Sequence, residues 1–239
     1  MKKVIITGAT SGIGRGLALE MAKQGYIVGL VGRRTNRLTE LKEIIGEQAF
    51  IKTLDITRFD EAEMVYHELI KEMGGLDIMI LNAGAGMDKT LPPWQADEKT
   101  ITLNVTAFAH GCHFAFGYFK NQGHGHIVGM SSLTCLLASH TGTAYIASKH
   151  FVSNYLKGFR QKVNRLDADI AITEIRPGYV KSEMTDGNKG MFWVSTPEKA
   201  AEQIASAIKK RKNYAYITRR WRLIGWAAKC VPEFVWDKI

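Results

Sequence analysis

Lys2-Lys3-Val4-Ile5-Ile6-Thr7-Gly8-Ala9-Thr10-Ser11-Gly12-Ile13-Gly14 carries a short apolar run into a glycine-rich turn. Beyond it Leu17, Met21 and Ala22 recur at helical spacing, with Ala18 and Leu19 beside them. The turn therefore joins a strand to a helix. Glycine permits a tight turn and a close approach of backbone to ligand. The helix that follows offers unpaired N–H groups at the positive end of its dipole. This is a phosphate-binding arrangement of the dinucleotide type. A glycine pattern alone is also compatible with a merely flexible turn; its place at the head of an alternating chain favours the binding site.

The alternation continues without a linker. Apolar runs at residues 4–7, 26–31, 50–54, 76–81, 126–130 and 170–175 read as buried parallel strands, with 214–218 as a last one. Helices fall between them, over 37–45 closed by Gly46 and over 61–73 closed by Gly74. Thr196-Pro197-Glu198 reads as an N-cap with proline at N1, opening a helix that runs to Lys209. A chain of 239 residues with 46% hydrophobic content forms one domain with a sizeable core. The expected fold is α/β, a single-domain doubly wound parallel sheet with helices on both faces, over residues 1–218. A basic, aromatic extension follows over 219–239.

The chemistry lies further along. In Thr143-Ala144-Tyr145-Ile146-Ala147-Ser148-Lys149 a phenol and an ammonium stand four residues apart, and Ser132 lies thirteen residues before the phenol. On a helix over 143–156, Tyr145 and Lys149 share one face. A tyrosine with its ordinary pKa of about 10 is a poor acid near neutral pH, and a neighbouring cation lowers that value. Ser132 can then hold a substrate oxygen within reach of the Tyr145 proton. Tyr and Lys also stand four apart on many solvated helix faces, so the pair gains its weight from the glycine turn.

Together these residues resemble the short-chain dehydrogenase/reductase family, from Lys2 to about Ile208. The T-G-x-x-x-G-x-G pattern is present as Thr7, Gly8, Gly12 and Gly14, and the N-A-G signature as Asn82-Ala83-Gly84. The helix asparagine falls at Asn104, the serine at Ser132, Y-x-x-x-K at Tyr145 and Lys149, and the P-G turn at Pro177-Gly178. Leu81 and Ser182 depart mildly from the pattern, where an asparagine and a threonine are common. The resemblance implies a Rossmann fold and an oxidoreductase in which Tyr145, Ser132, Lys149 and Asn104 are catalytic. Asn104 would fix a water in a proton relay behind Lys149. It further implies cofactor contacts from Gly8, Thr10, Ser11, Gly12, Ile13, Gly14, Asp55, Asn82, Ala83, Gly84, Tyr145, Lys149, Pro177, Gly178, Val180 and Ser182. Asp55 would bond the adenine amino group. Ser131 competes with Ser132 for the serine role, and the spacing to Tyr145 favours Ser132.

Leu30-Val31-Gly32-Arg33-Arg34 sets the choice of cofactor. An acidic residue at the end of the second strand bonds the ribose 2′-hydroxyl of NAD, whereas a guanidinium binds the 2′-phosphate of NADP in a bidentate fork. Gly32 leaves room for that phosphate, and Arg33, then Arg34, neutralises it. NADP(H) is the expected cofactor. The alternative is that both arginines merely begin a solvated loop. The implied activity is NADPH-dependent reduction of a fairly apolar carbonyl; a non-catalytic NADP(H)-binding redox sensor is the alternative reading.

Lys and Arg number 32 against 23 Asp and Glu, a net charge of +9. Such an excess fits nucleic acid, an anionic membrane surface or an anionic ligand. No interleaved basic and aromatic surface lies outside the carboxyl end, so no nucleic-acid partner is expected. Cys112, Cys135 and Cys230 show no C-x-x-C spacing, which suits a reducing, cytoplasmic setting, and the amino terminus does not read as a signal peptide. Cys135 reads as a small apolar pocket wall, and His124-Gly125-His126 as a turn. No metal site is expected, since His110 and His113 lack a third ligand.

Residues 100–119 contain no charged side chain, yet Phe108, Phe114, Phe116, Tyr118 and Phe119 crowd them. A helix apolar all round must be covered on both sides. One face is expected on the sheet and the other against a second subunit, with Phe151, Tyr155 and Phe159 extending that surface into a homodimer or homotetramer. In the extension, Arg222, Gly225 and Lys229 would form a polar strip opposite Trp221, Leu223, Ile224, Ala228 and Val231. That pattern suits peripheral contact with a membrane surface, or packing over the cleft or a partner subunit.

Overall fold

The computed structural model describes residues 1–86, 88, 90–187 and 190–232. The far end of the extension expected at 219–239, and the Lys229 side chain, lie outside the described residues. The chain runs β1 (Lys3–Thr7), α1 (Gly12–Lys23), β2 (Ile27–Gly32), α2 (Thr35–Ile45), β3 (Ala49–Thr53) and α3 (Phe59–Met73). Next come β4 (Ile78–Leu81), α4 (Pro93–Ile101), a π-helical turn (Thr102–Ala107) and α5 (Phe108–Gln122). β5 (His124–Met130), a 3-10 turn (Leu133–Leu136), α6 (Thr143–Val163) and β6 (Asp169–Pro177) follow. A second 3-10 turn (Glu183–Thr185), α7 (Pro197–Lys209), β7 (Tyr214–Ile217) and α8 (Trp221–Lys229) complete the described chain.

The seven strands form one parallel sheet in the order β3-β2-β1-β4-β5-β6-β7. This is the doubly wound Rossmann fold. The inner strands are buried on both faces, so their apolar residues divide between two cores. Val4, Ile6, Val28 and Leu30 pack with Leu17 and Met21 of α1 and Ile204 of α7. Ile5, Met79 and Ile127 pack on the other face with Tyr66 of α3, Phe119 of α5 and Leu156 of α6. The strand order reverses between β1 and β4, and a crevice opens at the carboxyl ends of those two strands. Ligands of such sheets bind in that crevice.

Three local expectations need correction. His124-Gly125-His126 is not a turn but the start of β5, paired with Asp169 to Ala171 of β6. Gly125 is required there because the Phe119 ring lies 2.2 Å from where its Cβ would stand. Second, the face of α5 expected against a second subunit is partly covered within this chain: Phe114 packs on Tyr66 and His67 of α3, and Phe116 on Phe159 of α6, which is itself buried. His110 and His113 are ring partners in the same layer, against Phe59, Tyr155 and Phe159.

Third, α8 turns a different face to the domain. Trp221, Gly225 and Ala228 are its buried residues, at i, i+4 and i+7, while Arg222, Leu223 and Trp226 are exposed. Gly225 belongs to the buried stripe because only a residue without Cβ can approach Tyr216 and Leu136 this closely. Among the described residues, no helix is long and apolar enough to cross a membrane.

Candidate active site

Glycines lock the two loops of the crevice together. A Cβ on Gly8 would lie 2.8 Å from the Ala83 Cα, and one on Gly14 would lie 2.1 Å from the Gly8 carbonyl oxygen and 2.5 Å from Asn82 Nδ2. Gly8 and Gly12 also hold φ angles of 70° and 51°, which favour glycine. Asn82 Nδ2 donates to the Thr7 and Gly8 carbonyls at 3.0 and 3.1 Å. The Asn82 and Ala83 amides donate to Thr7 Oγ1 at 3.1 and 3.2 Å. Asn82 thus spends its amide group on shaping the glycine loop. Ser11 precedes α1 without a capping bond from its side chain, and the amides of that first turn lack helical acceptors. The cradle and the helix end fit a dinucleotide pyrophosphate.

At the adenosine end, Ala9 N–H donates to the Val31 carbonyl at 3.1 Å, fixing the loop beside β2. Gly32 does not hold space open for a phosphate, as the sequence suggested. A Cβ there would meet the Thr10 methyl at 2.8 Å, so Gly32 makes room for Thr10. The Thr10 hydroxyl in turn receives Arg34 Nε and Nη2 at 3.2 and 3.0 Å, and Ser11 Oγ receives Nη2 at 2.8 Å. Arg33 is more exposed and lies 3.7 Å from the Asp55 carboxylate. Burial pushes the Asp55 carboxyl up, but hydrogen bonds from the Thr57 amide and hydroxyl, with the Arg33 and Arg58 charges, outweigh it and hold it low.

Ser132, Tyr145, Lys149 and Asn104 come together at the carboxyl ends of β4 and β5. The Ser132 hydroxyl lies beside the Tyr145 phenol and favours its ionised form, and accepts from the Thr134 amide at 3.2 Å, which caps the 3-10 turn. Ser131 points elsewhere: its hydroxyl donates to Glu174 Oε1 at 2.8 Å and the Ile175 carbonyl at 3.0 Å. Alternation along the end of β5 sends these two neighbours to opposite sides. Lys149 is buried, donates to the Met130 carbonyl at 3.1 Å, and stands 5.5 Å from the Tyr145 ring centre.

Asn104 lies in the π-helical turn and clamps the N-A-G loop. Its Nδ2 donates to the Ala85 carbonyl at 2.9 Å and to Ser148 Oγ at 3.0 Å, and its Oδ1 accepts from the Ala85 amide at 2.9 Å. Gly84 admits the two polar groups, since its Cβ would stand 3.2 Å from Asn104 Oδ1 and 3.4 Å from Lys149 Nζ.

The expectation that Lys149 lowers the Tyr145 pKa is corrected. Burial raises the phenol above its ordinary value, and the Ser132 hydrogen bond opposes that rise. Burial also lowers Lys149, to about 8. The phenol therefore keeps its proton at neutral pH. Cys135 does line a cavity, beside Ser153, Arg176, Tyr216 and Trp226, but the wall there is mixed rather than apolar: its thiol, raised by burial, donates to Glu174 Oε1 at 3.8 Å.

The segment after the P-G turn closes the site. The Gly178 amide donates to the Ile217 carbonyl at 2.6 Å, and Val180 bridges to Ser195. Ser182 lies against Gly12, 3.2 Å from its would-be Cβ, and forms a capping box with Thr185. Sequence reasoning missed the partner of Gly178. Trp221 of α8 lies against it, with indole atoms 2.2 Å from where a Cβ would stand. Tyr179, Phe192, Trp193 and Trp221 form one aromatic cluster. The alternation of tryptophan with arginine was visible in the sequence; the direction of Trp221 was not. Among the described residues, no group of three or more His, Cys, Asp or Glu could hold a metal ion.

Known proteins share this fold. An uncharacterized oxidoreductase of Mycobacterium tuberculosis is 31% identical over 224 residues, covering 90% of this chain and 88% of the relative. A serine dehydrogenase solved in its closed form with NADP+ superposes with a TM-score of 0.81 at 25% identity, covering 90% of this chain and 93% of that one. A short-chain dehydrogenase/reductase from Burkholderia phymatum, solved with NAD, gives 0.82 at 19% identity, covering 93% and 92%. The family profile described as short chain dehydrogenase matches residues 2–191. With the glycine cradle, the Ser132–Tyr145–Lys149 group and this match over most of its length, the chain belongs to the short-chain dehydrogenase family of oxidoreductases.

Proposed function

We propose that the protein is an NADPH-dependent reductase that converts a carbonyl of a fairly apolar substrate to an alcohol, with Tyr145 as general acid. The observation that carries this reading is the Tyr145 phenol beside Ser132 and one helical turn from buried Lys149. When bound, the nicotinamide supplies the hydride. Ser132 would bond the substrate oxygen as charge develops on it, and Tyr145 would deliver the proton. Lys149 would hold the nicotinamide ribose, and Asn104 would position the N-A-G loop beside it. Gly8, Thr10, Ser11, Gly12, Ile13 and Gly14 would cradle the pyrophosphate. Pro177, Gly178, Val180 and Ser182 would face the nicotinamide, with Asn82, Ala83 and Gly84 opposite, and Asp55 would meet the adenine. The aromatic cluster of Tyr179, Phe192, Trp193 and Trp221 supports an apolar substrate. A panel of ketones, oxoacyl thioesters and aldehydes assayed by NADPH absorbance tests the reading; no turnover of any of them would favour the redox sensor.

Cofactor choice follows from Arg33 and Arg34. Hydrogen bonds to charged groups contribute about 1.5 to 3 kcal/mol each. Changing both arginines to Ala should therefore weaken NADPH binding by about two to four orders of magnitude and spare NADH. Titration of both cofactors into wild type and variant measures this. Equal wild-type affinities would rule the assignment out.

The pH profile follows from Lys149. Its pKa is lowered, so its charge is present below about 8 and lost above. Reduction needs that cation beside the developing phenolate, so kcat/KM should fall as pH rises through about 8. A profile flat to pH 10 would remove Lys149 from the rate.

Members of such families act on small molecules and commonly assemble as oligomers. A homodimer or homotetramer would use α5 and α6, where His113 is exposed and Phe116, Phe151 and Tyr155 are half-buried; light scattering on the purified protein decides it. The setting proposed is cytoplasmic, with peripheral membrane contact through the outer face of α8. There Leu223 is 64% and Trp226 51% exposed, and the Arg222 guanidinium stacks 4.3 Å from the Trp226 ring centre. Co-sedimentation with anionic vesicles should fall on Leu223→Glu with Trp226→Glu, and absence of wild-type binding at low salt would exclude the contact.

A further inference from the structure

We infer that Glu183 is an internal competitor for the cofactor 2′-phosphate, and that Arg37 is a further arm of the site that phosphate enters. The inference rests on the NADP(H) reading above and adds two residues to it.

Arg34 is oriented on the glycine loop by Thr10 and Ser11, which take its Nε and Nη2 protons. Its remaining terminal nitrogen, Nη1, bonds Glu183 Oε2 at 2.8 Å. Arg37, three residues on and one turn along α2, bonds Oε1 of the same carboxylate. One carboxylate is thus forked between two guanidinium groups beside the loop that cradles phosphate. An oxyanion held by paired arginines has the charge and oxygen arrangement of a bound phosphate. Glu183 comes from the distant segment after the P-G turn, not from α2, so nothing in the local helix requires the contact.

Charge decides the contest. The two arginines hold the Glu183 carboxyl below the ordinary carboxylate range, so it is ionised at neutral pH. A phosphate monoester offers three oxygens and up to two charges against two oxygens and one. Glu183 is 56% exposed, and Arg34 and Arg37 are 38% and 39% exposed. Exposed pairs of this kind are weak, so the phosphate can displace the carboxylate. Until it does, Glu183 occupies the fork and lowers the apparent affinity. A dinucleotide without the 2′-phosphate does not need the fork and leaves the pair in place. Glu183 therefore narrows the preference for NADP(H), and Arg37 widens it.

The test uses 2′,5′-ADP and 5′-AMP, which differ only by the phosphate in question, titrated calorimetrically into wild type, Glu183→Gln, Glu183→Ala and Arg37→Gln. Thermal unfolding of each variant confirms the fold. Both Glu183 variants should bind 2′,5′-ADP about three- to tenfold more tightly, the size expected for freeing an exposed ion pair, and 5′-AMP within about twofold of wild type. Arg37→Gln should weaken 2′,5′-ADP by a similar factor and spare 5′-AMP. A wild type that binds the two ligands equally would sink the NADP(H) reading itself. A wild type that prefers 2′,5′-ADP, with no selective gain in the Glu183 variants, would overturn the competitor. No selective loss in Arg37→Gln would overturn the added arm.

Discussion

Tyr145→Phe should lower carbonyl turnover by about 10² to 10⁴-fold, the usual contribution of a positioned general acid, while cofactor affinity stays close to wild type. The change removes one oxygen and keeps the ring. That oxygen sits beside the Ser132 hydroxyl, so at most one hydrogen bond is lost, a stability cost of about 1 kcal/mol. Lys149 keeps its bond to the Met130 carbonyl, so the ribose side of the site is undisturbed. Steady-state rates with a substrate from the carbonyl panel, together with a cofactor titration, measure the two effects separately. A variant that retains near-wild-type rate would place the acid elsewhere. Lys149→Ala should behave differently and damage cofactor binding and turnover together.

The fold was legible because its signals are local. Gly8, Gly12 and Gly14 mark a turn that no other residue can make, Gly46 and Gly74 end helices, and Thr196 caps α7 through its bond to the Lys199 amide. The grouping of Ser132, Tyr145 and Lys149 was legible through spacing alone. What sequence could not give was direction. Neighbours such as Ser131 and Ser132 look alike until the end of β5 sends one toward Glu174 and the other toward Tyr145. On α8 a helical wheel set Gly225 on the polar strip, yet Tyr216 and Leu136 press on it. Long-range charge pairing was likewise invisible: Glu183 and Arg34 lie 149 residues apart. The Lys149 effect on Tyr145 was misjudged for a related reason, since burial is a property of the whole fold and outweighs a cation at this distance.

Glu174→Gln should be the most destabilising single change, because it strips the charge from a pair that water cannot reach. Glu174 is 0% exposed in β6, and Arg176, two residues on, is 6% exposed. Arg176 Nε and Nη2 bond the two Glu174 oxygens at 2.7 and 3.0 Å, and its other protons go to Tyr216 and Ser153. Arg160 adds a second cation 3.8 Å away. Burial works against the Arg176 charge, and the Glu174 hydrogen bonds and charge more than restore it, so its pKa is raised. Removing one partner of such a pair leaves the other charge buried and uncompensated, which costs about 3 to 5 kcal/mol. Urea unfolding should show a loss of that size at an unchanged slope. The same carboxylate receives the Ser131 hydroxyl, so the strand end that carries Ser132 loses an anchor. Turnover should therefore fall in folded Glu174→Gln protein more than cofactor affinity does. Replacing Glu174 and Arg176 together by Met and Leu should recover much of the stability, because the Arg176 charge leaves with its partner and Arg160 keeps its bond to the Tyr214 hydroxyl. If the single change costs less than about 1 kcal/mol, the ion pair is not what holds β6 and the Ser132 strand end in place.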